Sequence, residues 1–300
     1  MQDISNNIIE SKINHIVISG GGTIFFPFYG YLRDSNKNGL WNFEDIKTIY
    51  GTSAGSVLGA ILCLNIDWDH LDDYIILRPW KNIIQIDLND IFRLFETKGF
   101  KTKEFMEKIF TPMLESKNLS VNITLKELYE YSKIDLHIFT TEVNSFQTID
   151  LNHKTHPDWL LVDAVYASCS VPILFSPLQK DDLFYFDGGL LNNFPIGDCL
   201  LNEKCKEQEI LSLDINIESI YKPISKEIGF LQILLFLILN ILYKVSNRAI
   251  SPILDNTIII ELEDLNMENL NAIIDNADKR RSMIQIGSDL FSQHNIHETL

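Results

Sequence analysis

The opening of the chain alternates short apolar runs with helix-like stretches, separated by glycine-rich turns. His15-Ile-Val-Ile-Ser19 reads as a short buried strand, and Gly20-Gly21-Gly22 follows it at once. A helix is predicted from about Phe26 to Asn36, ending before the turn signal Asn38-Gly39. Ile46 to Tyr50 is mostly apolar and β-prone, whereas Ala54 to Leu64 is rich in small and apolar residues. Tyr50-Gly51-Thr52-Ser53-Ala54-Gly55-Ser56 joins the two, so the order is strand, sharp turn, helix, with Ser53 at the apex. Strand, glycine turn, helix, strand, serine turn, helix is a βαβα opening. It implies parallel strands with right-handed crossovers.

Asp67 to about Lys133 is mostly helical in pattern and poor in glycine, like an insertion on one end of a sheet. Within it, Phe105, Met106, Ile109 and Phe110 fall at helical spacing between Thr102 and Pro112, with Thr102 as the candidate cap. Thr124-Leu-Lys-Glu127 is a capping-box pattern opening a helix to about Tyr131. Strand signals return at Leu136 to Val143, with Phe146 to Leu151 as the neighbour across an Asn144-Ser145 hairpin turn. Pro157 is read as opening a helix to about Ser168, and Val171 to Pro177 as a rigid, irregular loop. Leu183 to Phe186 is a strand that ends at Asp187-Gly188-Gly189. Glu209 to Ile215 and Thr257 to Glu261 are further strands, and Asn266 to about Phe291 has helical periodicity. There is no internal repeat or clear linker. One α/β domain over residues 1–300 is the simplest account, with a core of about 15–262 and a helical tail of about 266–300.

Composition narrows the function classes. Twenty-five basic against 41 acidic residues give a formal charge of −16, which repels nucleic acid and anionic surfaces at long range. Cys63, Cys169, Cys199 and Cys205 form no CxxC pair and no metal-like spacing with histidine, and Cys63 is expected to be a small core residue. The first fourteen residues lack a basic-then-apolar leader pattern, so the expectation is a cytoplasmic protein with reduced thiols and unused sequons at Asn118 and Asn122. Phe230 to Leu242 is apolar on nearly every face but falls short of the roughly 20 residues that span a bilayer. It is either a buried helix or a helix that turns an apolar face to lipid.

Three glycine-flanked sites follow strand ends: Gly20 to Gly22, Ser53, and Asp187 to Gly189. Acyl transfer by serine needs a nucleophile, a base and donors for an oxyanion. Ser53 supplies the first, Asp187 the second, and the backbone amides of Gly20, Gly21 and Gly22 the third. Gly51 and Gly55 leave room for a sharp elbow around the serine. Ser53 alone could equally be a helix cap. The glycine turn lacks the last glycine of a dinucleotide fingerprint, with Phe25 in its place, and no Gly-Lys-Ser/Thr follows it. A base of the ordinary triad order would be His294 or His297, whereas His153 and His156 precede Asp187.

In these residues the chain resembles the patatin-like phospholipases, from about Ile16 to Ile215. Gly20-Gly21-Gly22 is similar to that family's oxyanion turn, Gly51-Thr-Ser53-Ala-Gly55 to its nucleophile segment, and Asp187-Gly188-Gly189 to the segment of its second catalytic residue. The flanks Ala164 to Ser168, Pro172 to Pro177 and Asn193-Phe194-Pro195 are similar too. Where the family's turn usually continues with a basic residue and then glycine, this chain has Ile24 and Phe25, a departure that bears on rate and headgroup preference. Asp198 stands where the family tends to be small or apolar.

The resemblance implies a three-layer α/β/α fold with a mostly parallel sheet. It also implies a Ser53–Asp187 dyad without histidine, acting through an acyl-enzyme on carboxylic esters of phospholipids, with no metal or cofactor. The alternatives are a neutral acyl-ester lipase of the same mechanism, or a weak or inert member that binds lipid or protein. The expected partner is a phospholipid or other acyl lipid, met in transient contact with a membrane surface, and not nucleic acid. Phe230 to Leu242 is a candidate for the acyl channel or interfacial face, as are Phe25, Phe26, Phe28 and Tyr29 beside the turn.

Overall fold

The computed structural model describes residues 12–84, 88–216, 229, 233–234, 237–238, 252, 254–261 and 272–298. Its strands are β1 His15–Ile18, β2 Thr48–Thr52, β3 Gly99–Lys101, β4 Asp135–Glu142, β5 Gln147–Leu151, β6 Ile173–Phe175, β7 Leu178–Lys180, β8 Leu183–Asp187, β9 Ile210–Asn216 and β10 Ile258–Glu261. Its helices are α1 Phe25–Lys37, α2 Ala54–Leu64, α3 Trp68–Leu77, α4 Lys81–Ile84, α5 Leu88–Thr97, α6 Glu104–Ser116, α7 Leu125–Ser132, α8 Leu161–Cys169, α9 Ile196–Glu203 and α10 Ala277–Glu298.

The central sheet runs β10-β9-β1-β2-β4-β8-β7, with β5 also paired to β4. β10, β9, β1, β2 and β4 are mutually parallel. β1, β2 and β4 are buried along their whole length, as expected of strands covered on both faces. Successive residues divide between two cores because side chains alternate across the sheet. Ile16, Ile18, Ile49, Leu136 and Ile138 pack into the larger core, which includes Phe28 and Leu32 of α1, Leu58 and Ile61 of α2 and Val165 of α8. Val17, Tyr50 and Phe139 pack into the smaller one with Ile196 and Cys199 of α9. These are the two helical layers. α10 closes over α1, where a Cβ on Gly30 would lie 2.0 Å from the Ile284 oxygen and one on Gly287 1.9 Å from the Pro27 oxygen. Only glycine on each side lets the two backbones meet so closely.

The order of the sheet reverses at β1. β2 and β4 extend it one way, β9 and β10 the other, so the glycine turn after β1 lies at the topological switch point where open α/β sheets bind ligands.

Four sequence expectations are corrected. Thr102 is not the cap: α6 starts at Glu104 after Lys103, with no side-chain cap, whereas Thr124 and Glu127 do form the expected capping box. The Asn144-Ser145 turn is a four-residue connection, because Glu142 pairs with Gln147. The helix assigned from Pro157 begins only at Leu161. Before it, the Pro157 and Trp159 carbonyls accept the Lys126 and Leu125 amides, which closes off the first turn of α7. The loop from Val171 to Pro177 contains β6, which pairs in parallel with β3 as a small second sheet. Asp187 ends an antiparallel strand, β8. β5 occupies one edge of β4 over residues 138–142, so β8, paired antiparallel at 140–142, takes the edge that β2 holds lower down. β2 and β8 therefore run toward each other along one edge of β4.

Of the apolar segment Phe230 to Leu242, residues 233–234 and 237–238 are described and helical; the remainder lies outside the described residues, as do 266–271 of the expected tail. Among the described residues, no helix is long and apolar enough to cross a membrane.

Candidate active site

The converging strands bring the two chemical residues together. Thr52 pairs with Phe139 and Asp187 with Thr140, the next residue of β4, so Ser53 and Asp187 follow from adjacent rungs of one ladder.

Ser53 has φ 51° and ψ −118°, a left-handed conformation that costs a non-glycine residue on the order of 1–3 kcal/mol. Three contacts hold it there. Its amide donates to Ser168 Oγ at 2.8 Å, and Ser168 Oγ donates in turn to the Phe139 carbonyl at 2.6 Å. Its carbonyl accepts the Ser56 amide at 2.9 Å and Ser56 Oγ at 2.7 Å, which opens α2. The Ser53 side chain makes no capping bond to α2, so the capping role left open by the sequence is not the one it has. Gly51 and Gly55 are where the elbow is tightest: a Cβ on Gly55 would lie 2.2 Å from the Ile18 oxygen, and one on Gly51 2.5 Å from the Gly55 oxygen.

Asp187 is 3% exposed. Its amide donates to the Ser170 carbonyl at 3.0 Å, and its Oδ1 accepts the Gly189 amide at 2.7 Å. Gly188 must be small, since a Cβ there would lie 2.2 Å from the Phe139 oxygen. Oδ2 has no formed hydrogen bond among the described residues. Burial pushes this carboxyl up to about 6; the Ser53 hydroxyl and the Gly189 amide pull against that rise without cancelling it.

The glycine turn separates into a structural residue and two open ones. Gly20 N–H donates to the Asn193 carbonyl at 3.0 Å, while Asn193 Nδ2 donates back to the Gly20 carbonyl at 3.1 Å. A Cβ on Gly20 would lie 2.5 Å from Asn193 Oδ1 and 3.1 Å from Ser53 Cβ, so this turn packs directly on the elbow. Gly22 has φ +57°, and its α-carbon faces open space. The amides of Gly21 and Gly22 donate to no described protein group. Ile24 is fully buried and its amide closes the turn onto the Gly21 carbonyl. Of the four aromatic residues suggested for a channel, Phe28 and Tyr29 are instead fully buried in the main core, Tyr29 bonding Asp72 at 2.8 Å. Phe25 and Phe26 are half-buried, edge to face at 5.4 Å.

No histidine bonds to Ser53 or Asp187 among the described residues. His294 is exposed on α10, with its Nδ1 on the Leu290 carbonyl, and His153 stacks on Tyr129 and bonds Asp135. The side chain of His297 lies outside the described residues. A cleft of about 500 Å³ opens away from Ser53, at the amino ends of β2 and β4, lined by Lys47, Thr48, Tyr129, Lys133, Asp135 and Lys154. Asp198 accepts from Asn192 Nδ2 at 2.7 Å and belongs to the packing of α9.

Residues 16–200 match the family model described as patatin-like phospholipase. The chain belongs to the patatin-like phospholipase family. Among relatives of this patatin-like chain, "Probable lipid hydrolase 463L" of Invertebrate iridescent virus 6 is 28% identical over 60% of this chain and 61% of that protein. "Uncharacterized protein R571" of Acanthamoeba polyphaga mimivirus is 26% identical over 63% of this chain and 62% of that protein. The match thus spans about three fifths of the length of these viral relatives. "Triacylglycerol lipase 5" of Saccharomyces cerevisiae is 24% identical over 67% of this chain but 30% of its own length. Among solved structures, VipD from Legionella pneumophila shares the fold, with a TM-score of 0.58 at 15% identity over 94% of this chain and 66% of that one.

Ser168 and Asn193, which in the sequence are only flanks similar to the patatin-like family's, hold the elbow and the glycine turn.

Proposed function

We propose that this protein is a lipid acyl hydrolase that cleaves carboxylic esters of phospholipids with Ser53 as nucleophile and Asp187 as base. The observation that carries the reading is the state of Asp187: a buried carboxyl beside the serine elbow, one oxygen unbonded, pushed up to about 6. A carboxylate at its ordinary pKa of about 4 is a poor base for a serine; raising it improves proton affinity while leaving it ionised at neutral pH. Asp187 takes the proton of Ser53 Oγ as the oxygen attacks the ester carbonyl. The oxyanion is received by the open amides of Gly21 and Gly22, with Gly20 acting as the anchor of the turn. The N-terminal end of α2 favours negative charge at the serine oxygen. Asp187 then gives the proton to the leaving alcohol; in the second half it takes a proton from the water that attacks the acyl-enzyme and returns it to Ser53 Oγ as the acyl–serine bond breaks and the fatty acid leaves.

A neutral-lipid version of the same chemistry is favoured on two counts. Ile24 and Phe25 put apolar groups where the family usually has a basic residue and glycine, and two yeast relatives are named triacylglycerol lipases. Fatty-acid release from phosphatidylcholine and from triglyceride emulsions, by wild type and Ser53→Ala, tests both readings. Wild-type release that Ser53→Ala abolishes supports the enzyme, and the better substrate selects the class. Equal traces from both proteins would leave a lipid-binding protein. Loss of activity in His297→Ala or His294→Ala would replace the dyad by a triad.

A further inference from the structure

Aromatic residues are costly to leave in water, and most of the described ones are buried in the two cores or packed against them. α5 is different. Phe92 is 80% and Phe95 90% exposed, and their i, i+3 spacing sets them side by side on one face of the helix. Phe146, at 53%, is exposed in the β4–β5 connection with the smaller Val143 at 36%, and Leu201, at 74%, is exposed singly on α9. Each phenyl ring offers on the order of 150–250 Å² for burial, so the pair forms an apolar patch of the size that marks an interaction site.

Place and charge identify what covers it. α5 leads directly into β3, β3 pairs with β6, and β6 starts three residues after Ser170, whose carbonyl holds the Asp187 amide. The patch is thus on the helix that feeds the small sheet, whose strand β6 begins three residues beyond Ser170. Residues 81–108 contain six basic and five acidic side chains, against 19 and 36 in the rest of the chain. A second copy of a chain with charge −16 is repelled, and so is an anionic bilayer; this near-neutral segment meets a zwitterionic surface at the least electrostatic cost.

We propose that α5 is the docking surface for a zwitterionic lipid interface, with Phe92 and Phe95 entering the headgroup–acyl boundary. The inference rests on the lipid-hydrolase reading for its biological sense, but its test is independent of catalysis. Insertion of two aromatic side chains from a helix lying on the surface is the ordinary mode of an interfacial helix.

The experiment is flotation of the full chain with phosphatidylcholine vesicles, comparing wild type with Phe92→Ser/Phe95→Ser, and with Leu201→Ser as a control for loss of one exposed apolar residue. Wild type and Leu201→Ser are expected to float, and the double variant to lose at least tenfold in partition. Replacing a third of the lipid by phosphatidylserine should weaken wild-type binding. Hydrolysis of a monomeric short-chain ester should be the same in all three proteins, and so should the melting temperature, because both phenyl rings are in solvent. Flotation of the double variant equal to wild type, or no flotation of wild type, overturns the proposal. So does a fall in sedimentation mass in the double variant without vesicles, which would make the occupant a second copy. Wild type that floats through Phe92 and Phe95 but hydrolyses no ester would sink the enzymatic reading and leave the docking surface standing.

Discussion

Both ends of the central sheet bury carboxylates, and they treat them in opposite ways. At the amino end of β4, Asp135 meets His153 Nδ1 at 2.8 Å, Lys154 Nζ at 2.7 Å and His137 Nε2 at 3.5 Å. His137 Nδ1 lies 2.7 Å from Asp150, and its ring stacks on Tyr50 at 4.1 Å. Burial works to raise Asp135, but its bonds to His137 and Lys154 outweigh that and hold it well below the usual carboxylate range. Burial works to lower His137, but Asp135 and Asp150 outweigh it and push the imidazole up to about 9. About five residues further along β4, some 16 Å away, Asp187 is buried with no cation acting on it and rises instead. The aspartate–histidine pairs around β4 all lie at the end away from the proposed dyad. Charges that satisfy one another hold a structure together and have no proton affinity to spare. A carboxylate left uncompensated beside a hydroxyl, as Asp187 is beside Ser53, keeps the proton affinity that the proposed base needs.

The sharpest way to break this contrast is to remove the charge at each end. Ser53→Ala and Asp187→Asn should each lower kcat by about 10⁴-fold or more, since neither half of a nucleophile–base pair works alone. Asp187→Asn should also melt higher. The folded pKa lies above the ordinary 3.8, so the raised carboxyl contributes stability only at low pH and loses it as pH rises through about 6. At pH 7 an amide, which still accepts from Gly189, avoids that cost of roughly 1–3 kcal/mol. A lower melting temperature for Asp187→Asn would show that its charge is compensated after all.

His137→Ala should do the reverse. It takes the 2.7 Å partner from Asp150 and one of three cationic neighbours from Asp135, and should cost about 3–5 kcal/mol, a factor of about 10² to 10⁴ in the folding constant by urea titration, with kcat unchanged per folded molecule. A third variant sharpens the boundary of the site. Asn193→Ala unties Gly20 from the turn after β8 and should lower kcat by roughly 10- to 100-fold while KM moves little, because in the proposed mechanism the glycine turn binds charge that develops only during reaction. Asn193→Asp should fail similarly, since a carboxylate cannot donate to the Gly20 carbonyl.

What could be read in the sequence was whatever the local chain encodes. Ile16 to Ile18 with its glycines, the small residues around Ser53 and the aspartate before Gly188-Gly189 each carry their own turn chemistry. The capping box at Thr124 is equally local and forms as expected. Pairing between distant segments was not legible. Nothing near Asp187 announces that β8 runs antiparallel and meets β2 end to end, nor that Pro157 to Leu160 is drawn away from helix by α7. Ser168 and Asn193 look like ordinary polar residues until their partners, 115 and 173 positions away, are known. Gly30 and Gly287 likewise reveal the α1–α10 contact only together.

The two ends should finally separate on the pH axis, with the smallest effects and the clearest signs. If Asp187 must be ionised to accept the serine proton, kcat/KM falls about tenfold per unit as pH drops below about 6 and is level above about 7, with no accompanying loss of stability. The His137 contribution runs the other way. Its folded pKa is raised from 6.5 to about 9, so its stabilisation is complete below about 6.5 and disappears as pH rises through about 9. Between pH 7 and 9.5, therefore, turnover per folded molecule stays level while the melting temperature declines. In His137→Ala that alkaline decline should flatten and the acid limb of activity should remain. A variant that shifts the acid limb instead would mean that the charge network reaches the elbow along β4.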